Sequence, residues 1–400
     1  MPFGAFAEDA KERAGAWARQ LARRIVDRFG GVQGIEVRPV FLVAMPKADA
    51  EPGYLVFGSA PDAALAAEYA RSLQATHALT GTYHEAAGRR IHVVLVDATG
   101  TVVGTHDREI AAGELHFAEA AVARWLASSL GVEIGPGAVA PPTENEIAYG
   151  SLLEGMDAEI DATLMRESDA HASGSALTRA AAAYAAAARA DATSRLIEER
   201  ILVLAATAIE HDQQQLVLPA LETLAETRPR SWRVHYLLGE VRRTSGDANG
   251  AIVAFEHSDA LRKLRPQDVL TLAQLYIASG AGAVAASRLR RVIDSDADPR
   301  VRATARRLRL GLRHPELERD LEEAGKTAVE GDLAHAVQAQ ERFDRVLATD
   351  PDIWEAHFGS GLLAWHRGDA AAAEAAFKRA IEIDPDAAEL VSEMGEPPEN

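Results

Sequence analysis

Cysteine is missing from all 400 residues of the chain. That excludes disulfides, thiolate metal sites, cysteine nucleophiles and lipid attachment through sulfur, and it agrees with a reducing compartment. Positive charge is scarce. Lys and Arg number 42 against 60 Asp and Glu, a net charge of −18, so duplex nucleic acid and anionic membrane repel the molecule as a whole. Long hydrophobic runs are also absent: the best window, Ile201 to Ile209, is closed by Arg200 and Glu210, far below the ~20 residues a membrane span needs. The opening MPFGAFAEDAKERAGAWARQ carries acids where a signal peptide has a basic segment and an apolar core. No GxxxxGK[ST] phosphate loop occurs, and the glycines of ASGAGAVAAS (278–287) sit between two helical patterns, as an inter-helix turn does. What remains, 48% hydrophobic and 26% charged, describes a soluble, cytoplasmic globular chain of two or three domains or one extended array.

The first third mixes strand and helix patterns. Trp17, Leu21, Ile25 and Phe29 recur every fourth residue, one apolar ridge on a helix that stops at Gly30-Gly31. VRPVFLVA (37–44) and YLVF (54–57) are short β-rich runs, and 63–74 reads as a helix. RIHVVLVDA and TVVGTHDREI, joined at Thr99-Gly100, predict a hairpin. Leu115, Val122, Trp125 and Leu126 give a closing helix its apolar face, so residues 1–134 form an α/β domain with helices on a mixed sheet. GPGAVAPPT (135–143) then breaks both periodicities as a linker, and Thr143 with Glu146 has capping-box spacing. Everything from 144 to 388 reads as helix, with 389–400 as a tail.

The order within that helical part lies in HRGDAAAAEAAFKRAIEIDP (366–385). Gly368-Asp369 makes a turn, Ala373 and Ala380 allow close helix approach, Phe377 fills the wedge between helices, and Asp384-Pro385 ends the unit, while Gly361 and Ala364 are small on the preceding helix. The pattern recurs 34 residues earlier as Ala339, Phe343, Val346 and Pro351, although the Gly331-Asp332 turn falls three residues early. Leu238, Gly239, Gly246-Asp247, Ala251 and Phe255 form another copy; Leu221 with Leu224, Tyr276 with Ala285, Leu289 and Val292, and Tyr184 with Ala187 form weaker ones. These units resemble the tetratricopeptide repeat, a helix-turn-helix of 34 residues, which implies an all-α solenoid of roughly six helical pairs. DPRVRATARRLRLGLRHP (298–315) adds a helix that does not pair neatly.

Residues 72–110, with the Ala-x-x-Leu-x-Gly core at Ala75 to Gly81, the hairpin and the helix from Leu115, resemble the amino-terminal α/β domain of TolB and its relatives. The resemblance implies a module that precedes tetratricopeptide repeats in bacterial signalling proteins. That family's first strand, an apolar run ending in Leu-Pro-Phe, is represented only by Met1-Pro2-Phe3.

Three constellations are candidates for chemistry. His84, His92, His106 and His116 with Asp107, Glu109, Glu114 and Glu119 suggest a zinc or hard-metal site, but no HExxH-type spacing supports it, and solvated faces account for them. Arg288, Arg290, Arg291, Arg300, Arg302, Arg306, Arg307, Arg309 and Arg313 form a basic island suited to an acidic partner or a phosphate backbone; its bland reading is a solvated face neutralised by ELERDLEE (316–323), with no aromatic interleaved for base stacking. Phe358, Leu362 and Trp365 share one helical stripe on the inner wall of the last unit, and Tyr236, Glu240 and Arg243 take the matching face of the Gly246 unit. That stripe is either a groove for a peptide or helix, or a surface covered by the tail or by a second copy of the chain. The resulting expectation is a non-enzymatic scaffold without a cofactor, binding a protein or peptide partner. Alternatives are a signalling input through the TolB-like domain and an acidic-partner or nucleic-acid contact through the Arg-rich region.

Overall fold

The computed structural model describes residues 16–30, 32–37, 61–84, 88–166 and 169–394, and the backbone alone of 7–8, 43–44 and 53–54. The chain forms two compact units, Met1–Ser245 and Gly246–Asn400.

The first unit runs β1 (Ala7–Glu8), α1 (Ala16–Arg28), β2 (Val43–Ala44), β3 (Gly53–Tyr54), α2 (Ala63–Ser72), β4 (His77–His84), β5 (Arg90–Asp97), β6 (Val102–Glu109) and α3 (Leu115–Leu130). Its sheet has the order β1-β4-β5-β6, with β1 parallel to β4 and the other neighbours antiparallel, so it is mixed as expected. Period-2 alternation sorts its side chains. Leu79, Tyr83, Ile91, Val93 and Leu95 are buried on one face, where the Trp17 ring of α1 lies 4.4 Å from that of Tyr83 and Trp125 of α3 stacks on His106. On the other face Ala78 and Val96 meet the Ala66, Ala67 and Ala70 stripe of α2. The predicted hairpin is present: Gly100 takes φ +96°, and the Asp97 carboxylate accepts from Thr99 N, Thr99 Oγ1 and Thr101 N. Of the strands expected at 37–44 and 54–57, 43–44 and 54 form part of the small β2–β3 pair and Val37 is described outside any strand; the rest of both, like Met1 to Phe3, lie outside the described residues.

The Pro/Gly segment holds a short α4 (Pro136–Val139), after which α5 (Glu146–Met165), α6 (Ala170–Ala190), α7 (Arg195–Glu210), α8 (Leu218–Thr227) and α9 (Trp232–Thr244) follow. Here one local expectation is corrected. The cap of α5 is Asn145, whose side chain accepts from Ile147 N and Ala148 N, because Thr143 is drawn away to donate to Asp191 at 2.5 Å and Glu146 turns to Arg89. Tyr184 of α6 lies where a Cβ on Gly155 of α5 would stand, which lets the two longest helices approach closely.

The second unit comprises α10 (Ala248–Leu261), α11 (Pro266–Ala278), α12 (Gly282–Ile293), α13 (Pro299–Arg313), α14 (Pro315–Glu330), α15 (Ala336–Thr349), α16 (Trp354–His366), α17 (Ala370–Ile383) and α18 (Ala387–Ser392). The early Gly331-Asp332 turn does not break the repeat. Gly331 closes α14 in the left-handed conformation, residues 332–335 form a longer connection, and α15 still begins 34 residues before α17 (370 − 336). Helix α13 falls outside the pairs α11–α12, α14–α15 and α16–α17. Its arginines run along the starts of three others: Arg307 reaches Glu318 of α14 at 2.8 Å, Arg306 reaches Asp352 before α16 at 2.9 Å, and Arg300 reaches Asp386 before α18 at 2.7 Å.

Candidate partner-binding site at the last helix pair

Helix α16 is thinned by two glycines, so that an aromatic ring from the helix on each side of it in sequence can sink against its backbone. Phe377 of α17 sits 2.5 Å from where a Cβ on Gly361 would stand, and Phe343 of α15 fills the corresponding space at Gly359. The 34-residue translation then explains the stripe Phe358, Leu362 and Trp365. One repeat earlier its positions are Ala324, Ala328 and Gly331; the two alanines are fully buried, and Gly331 lies against the His366 ring of α16. In that earlier repeat the stripe is closed off from solvent at both alanines, and α16 reaches it at Gly331. After the last repeat the short α18 is the one further helix among the described residues, and larger side chains stand at the stripe positions.

Leu362 is buried, 8% exposed, in the core of the unit, whereas Phe358 and Trp365 are half-buried against it. The Phe358 ring lies 5.5 Å from Phe377 and 6.1 Å from Trp354. Trp365 forms one wall of an apolar cavity of about 530 Å³ that continues along Ala370, Phe377 and Ile381 of α17 and is closed on the far side by Val391 and Met394. The described part of the tail thus flanks the stripe and leaves a cleft beside it. In the other unit, Tyr236, Glu240 and Arg243 share the α9 surface, where Arg243 donates to Glu240 at 2.8 Å and this bond holds its guanidinium pKa above the ordinary value.

The basic island is largely spent inside the molecule. Arg288 and Arg291 converge on Asp259, at 3.2 and 2.7 Å, and Arg288 also donates to Glu256. Burial raises the Asp259 carboxyl, but Arg291 and the Leu264 N–H overcome it and hold the pKa down to about 2. Arg300, Arg306 and Arg307 are the α13 contacts given above. Among the described residues, neutralisation by 316–323 reaches Arg307, through Glu318 and Glu322, whereas Arg300 and Arg306 pair with aspartates in the turns around α16 and before α18. Arg302, Arg309 and Arg313 have no carboxylate partner among the described residues.

The histidines of the α/β domain are dispersed. His92 faces Asp107 at 3.3 Å, His84 bonds Thr82 at 3.1 Å, His106 stacks on Trp125, and His116 is buried against Phe117. Among the described residues no three His, Asp or Glu side chains are placed to hold a metal ion. Glu119, grouped with them by sequence, has a different surrounding. Fully buried on α3, it accepts from Arg24 at 3.1 and 3.2 Å, from Arg28, and from the Tyr149 hydroxyl of α5 at 2.8 Å. Burial alone raises its carboxyl; the two guanidiniums reverse that and hold it below the usual carboxylate range, while burial and the Glu119 charge push the Tyr149 phenol well up. Arg28 also donates to the carbonyls of Ala138 and Ala140, at 2.6 and 2.8 Å. The signal for this network was Arg24 and Arg28, spaced like the neighbouring ridge and one residue ahead of Ile25 and Phe29.

Comparison with known proteins bears on the same end of the chain. Residues 332–388 match the model of the tetratricopeptide repeat family. No curated protein matches the chain. Among solved structures it is similar to YrrB, described as "a TPR protein with an unusual peptide-binding site", at 17% identity over 50% of this chain and 96% of that one, with a TM-score of 0.24. MamA shares 15% identity over 59% and 94%, and the TPR domain of P58(IPK) 15% over 70% and 79%, both with a TM-score of 0.26. Among the described residues no helix is long and apolar enough to cross a membrane.

Proposed function

We propose that the chain is a non-enzymatic interaction scaffold that holds a protein or peptide segment on its paired helices, with Phe358, Leu362 and Trp365 as the anchor of one contact and Tyr236, Glu240 and Arg243 as another. The observation that carries this reading is the half-buried pair Phe358 and Trp365 beside an apolar cavity in the segment that matches the tetratricopeptide repeat model. Aromatic anchors next to an unfilled apolar cleft are what a partner side chain or helix face needs in order to gain free energy by leaving water. Residues 1–134, the TolB-like part, serve as a second docking or sensing module, and 144–388 as the repeat array. Phe358→Ala with Trp365→Ala abolishes partner capture from the native cell while helicity and melting behaviour stay close to those of the parent; capture at the parent level overturns the assignment.

A second reading is favoured by the arginines of α13 that lack carboxylate partners. Arg309 and Arg313, one turn apart, offer guanidinium to an acidic segment of a partner. Salt-sensitive binding of an acidic peptide that is lost in Arg309→Gln with Arg313→Gln supports it; salt-independent failure to bind removes it.

A further inference from the structure

We infer that the cleft on α17 is a docking site for an amphipathic helix with basic flanks, seated as the next first helix of the repeat. This rests on the scaffold reading and names the chemistry of the partner. The argument comes from the chain's own preceding repeat. There the outer face of α15 is covered by α16: Phe343 meets Gly359, and Gln340 donates to Ser360 at 3.1 Å. Moved on by 34 residues, Phe343 becomes Phe377, Gln340 becomes Glu374 and Leu347 becomes Ile381, and all three line the cleft. Val391 and Met394 take the places of His357 and Ser360, but α18 stops at Ser392, before the position that matches Gly359. The first half of a covering helix is therefore built into the chain. Past it, Glu393 stands where α16 has Gly359, and the positions that match Leu362 and Leu363 lie outside the described residues.

The internal interface fixes the geometry of the occupant: a small residue over Phe377, followed by branched aliphatics toward Trp365. Charge fixes its flanks. Glu374 and Glu382 line the cleft with Lys378; Glu382 is paired to Arg379 at 3.1 Å, Glu374 has no side-chain partner among the described residues, and Glu389 of α18 and Glu393 just past it add two more carboxylates. In place of the neutral Gln340–Ser360 pair, this face presents a carboxylate to a donor. The same carboxylates disfavour a second copy, because two such faces meeting would set like charges together on chains that each carry −18.

The probe is a fluorescein-labelled peptide with the sequence of α16, Trp354 to His366, carrying three lysines at each end, and its twin carrying three glutamates. Full-length protein binds the lysine form with saturable anisotropy, about tenfold tighter than the glutamate form at low salt, and the difference closes at high salt. Ile381→Lys, at a half-buried position on the cleft wall and checked for an intact fold by circular dichroism, weakens the lysine form by about tenfold or more. Equal binding by Ile381→Lys, or no binding of either peptide, overturns the proposal. So does a concentration-dependent dimer that Ile381→Lys dissolves, which assigns the face to a second copy. A variant ending at Met394 that binds more than about tenfold tighter assigns it to the chain's own tail. Absence of peptide binding together with native-partner capture that depends on Phe358 and Trp365 overturns the helix chemistry and leaves the scaffold reading in place; loss of that dependence with peptide binding intact does the reverse.

Discussion

The ring of Phe377 occupies the space that a Cβ on Gly361 would require, one ring carbon lying 2.5 Å from that position. Two helices of one repeat are locked by this single fit, because interiors packed to crystal density have no slack for an added methyl. Gly361→Ala is expected to destabilise the second unit by about 1–3 kcal/mol in denaturant melts, and Phe377→Leu in the same chain to recover part of that loss. An additive double mutant would show that the two residues are not in contact.

Phe343 carries the matching role between repeats, fully buried against Gly359. Phe343→Ala is expected to cost about 3–5 kcal/mol, since the helices cannot collapse into the cavity without losing their crossing. A loss under about 1 kcal/mol would contradict the packing described.

Glu119 stands between two guanidiniums and a phenol with no access to water. Glu119→Gln leaves Arg28 buried without this counter-charge and Arg24 with only the half-exposed Asp27 at 3.1 Å, and a loss of about 3–5 kcal/mol is expected. Tyr149→Phe removes one donor from a carboxylate still paired twice and is expected to cost about 1 kcal/mol. Equal losses for the two variants would mean that charge compensation is not what the network supplies.

Asp259 provides a pH signature. Its native pKa of about 2 lies below the ordinary 3.8, so its contribution is fully present above pH 4 and fades as pH falls toward 2. The shift corresponds to about 2 kcal/mol, and Asp259→Asn should remove that much stability at neutral pH and flatten the acid limb of the stability curve. An unchanged acid limb in the variant would place the titration elsewhere.

How much of this was legible in the sequence depends on the range over which each residue acts. The ridge of Trp17, Leu21, Ile25 and Phe29, the Thr99-Gly100 hairpin and the Gly368-Asp369 turn are set by neighbours within a few residues, and their periodicity or turn chemistry reads directly. Phe343 and Phe377 were legible because the same unit recurs at a fixed spacing. What the chain order hides is the identity of distant partners. Glu119 looks like any helical glutamate until Arg24 and Arg28 arrive from 95 and 91 residues away. The arginines of α13 resemble a binding patch because their aspartates, 350, 352 and 386, lie beyond the acidic run that sits next to them in sequence. Phe358, Leu362 and Trp365 were recognised as one stripe, but its relation to the following helix emerges only when Ala324, Ala328 and Gly331 are seen covered one repeat earlier.

The scaffold reading is tested most directly by affinity capture from the native cell with the parent protein and with Phe358→Ala, Trp365→Ala, each checked for helicity beforehand. The account predicts a defined partner set held by the parent and lost from the folded variant. The same set held by both would contradict it.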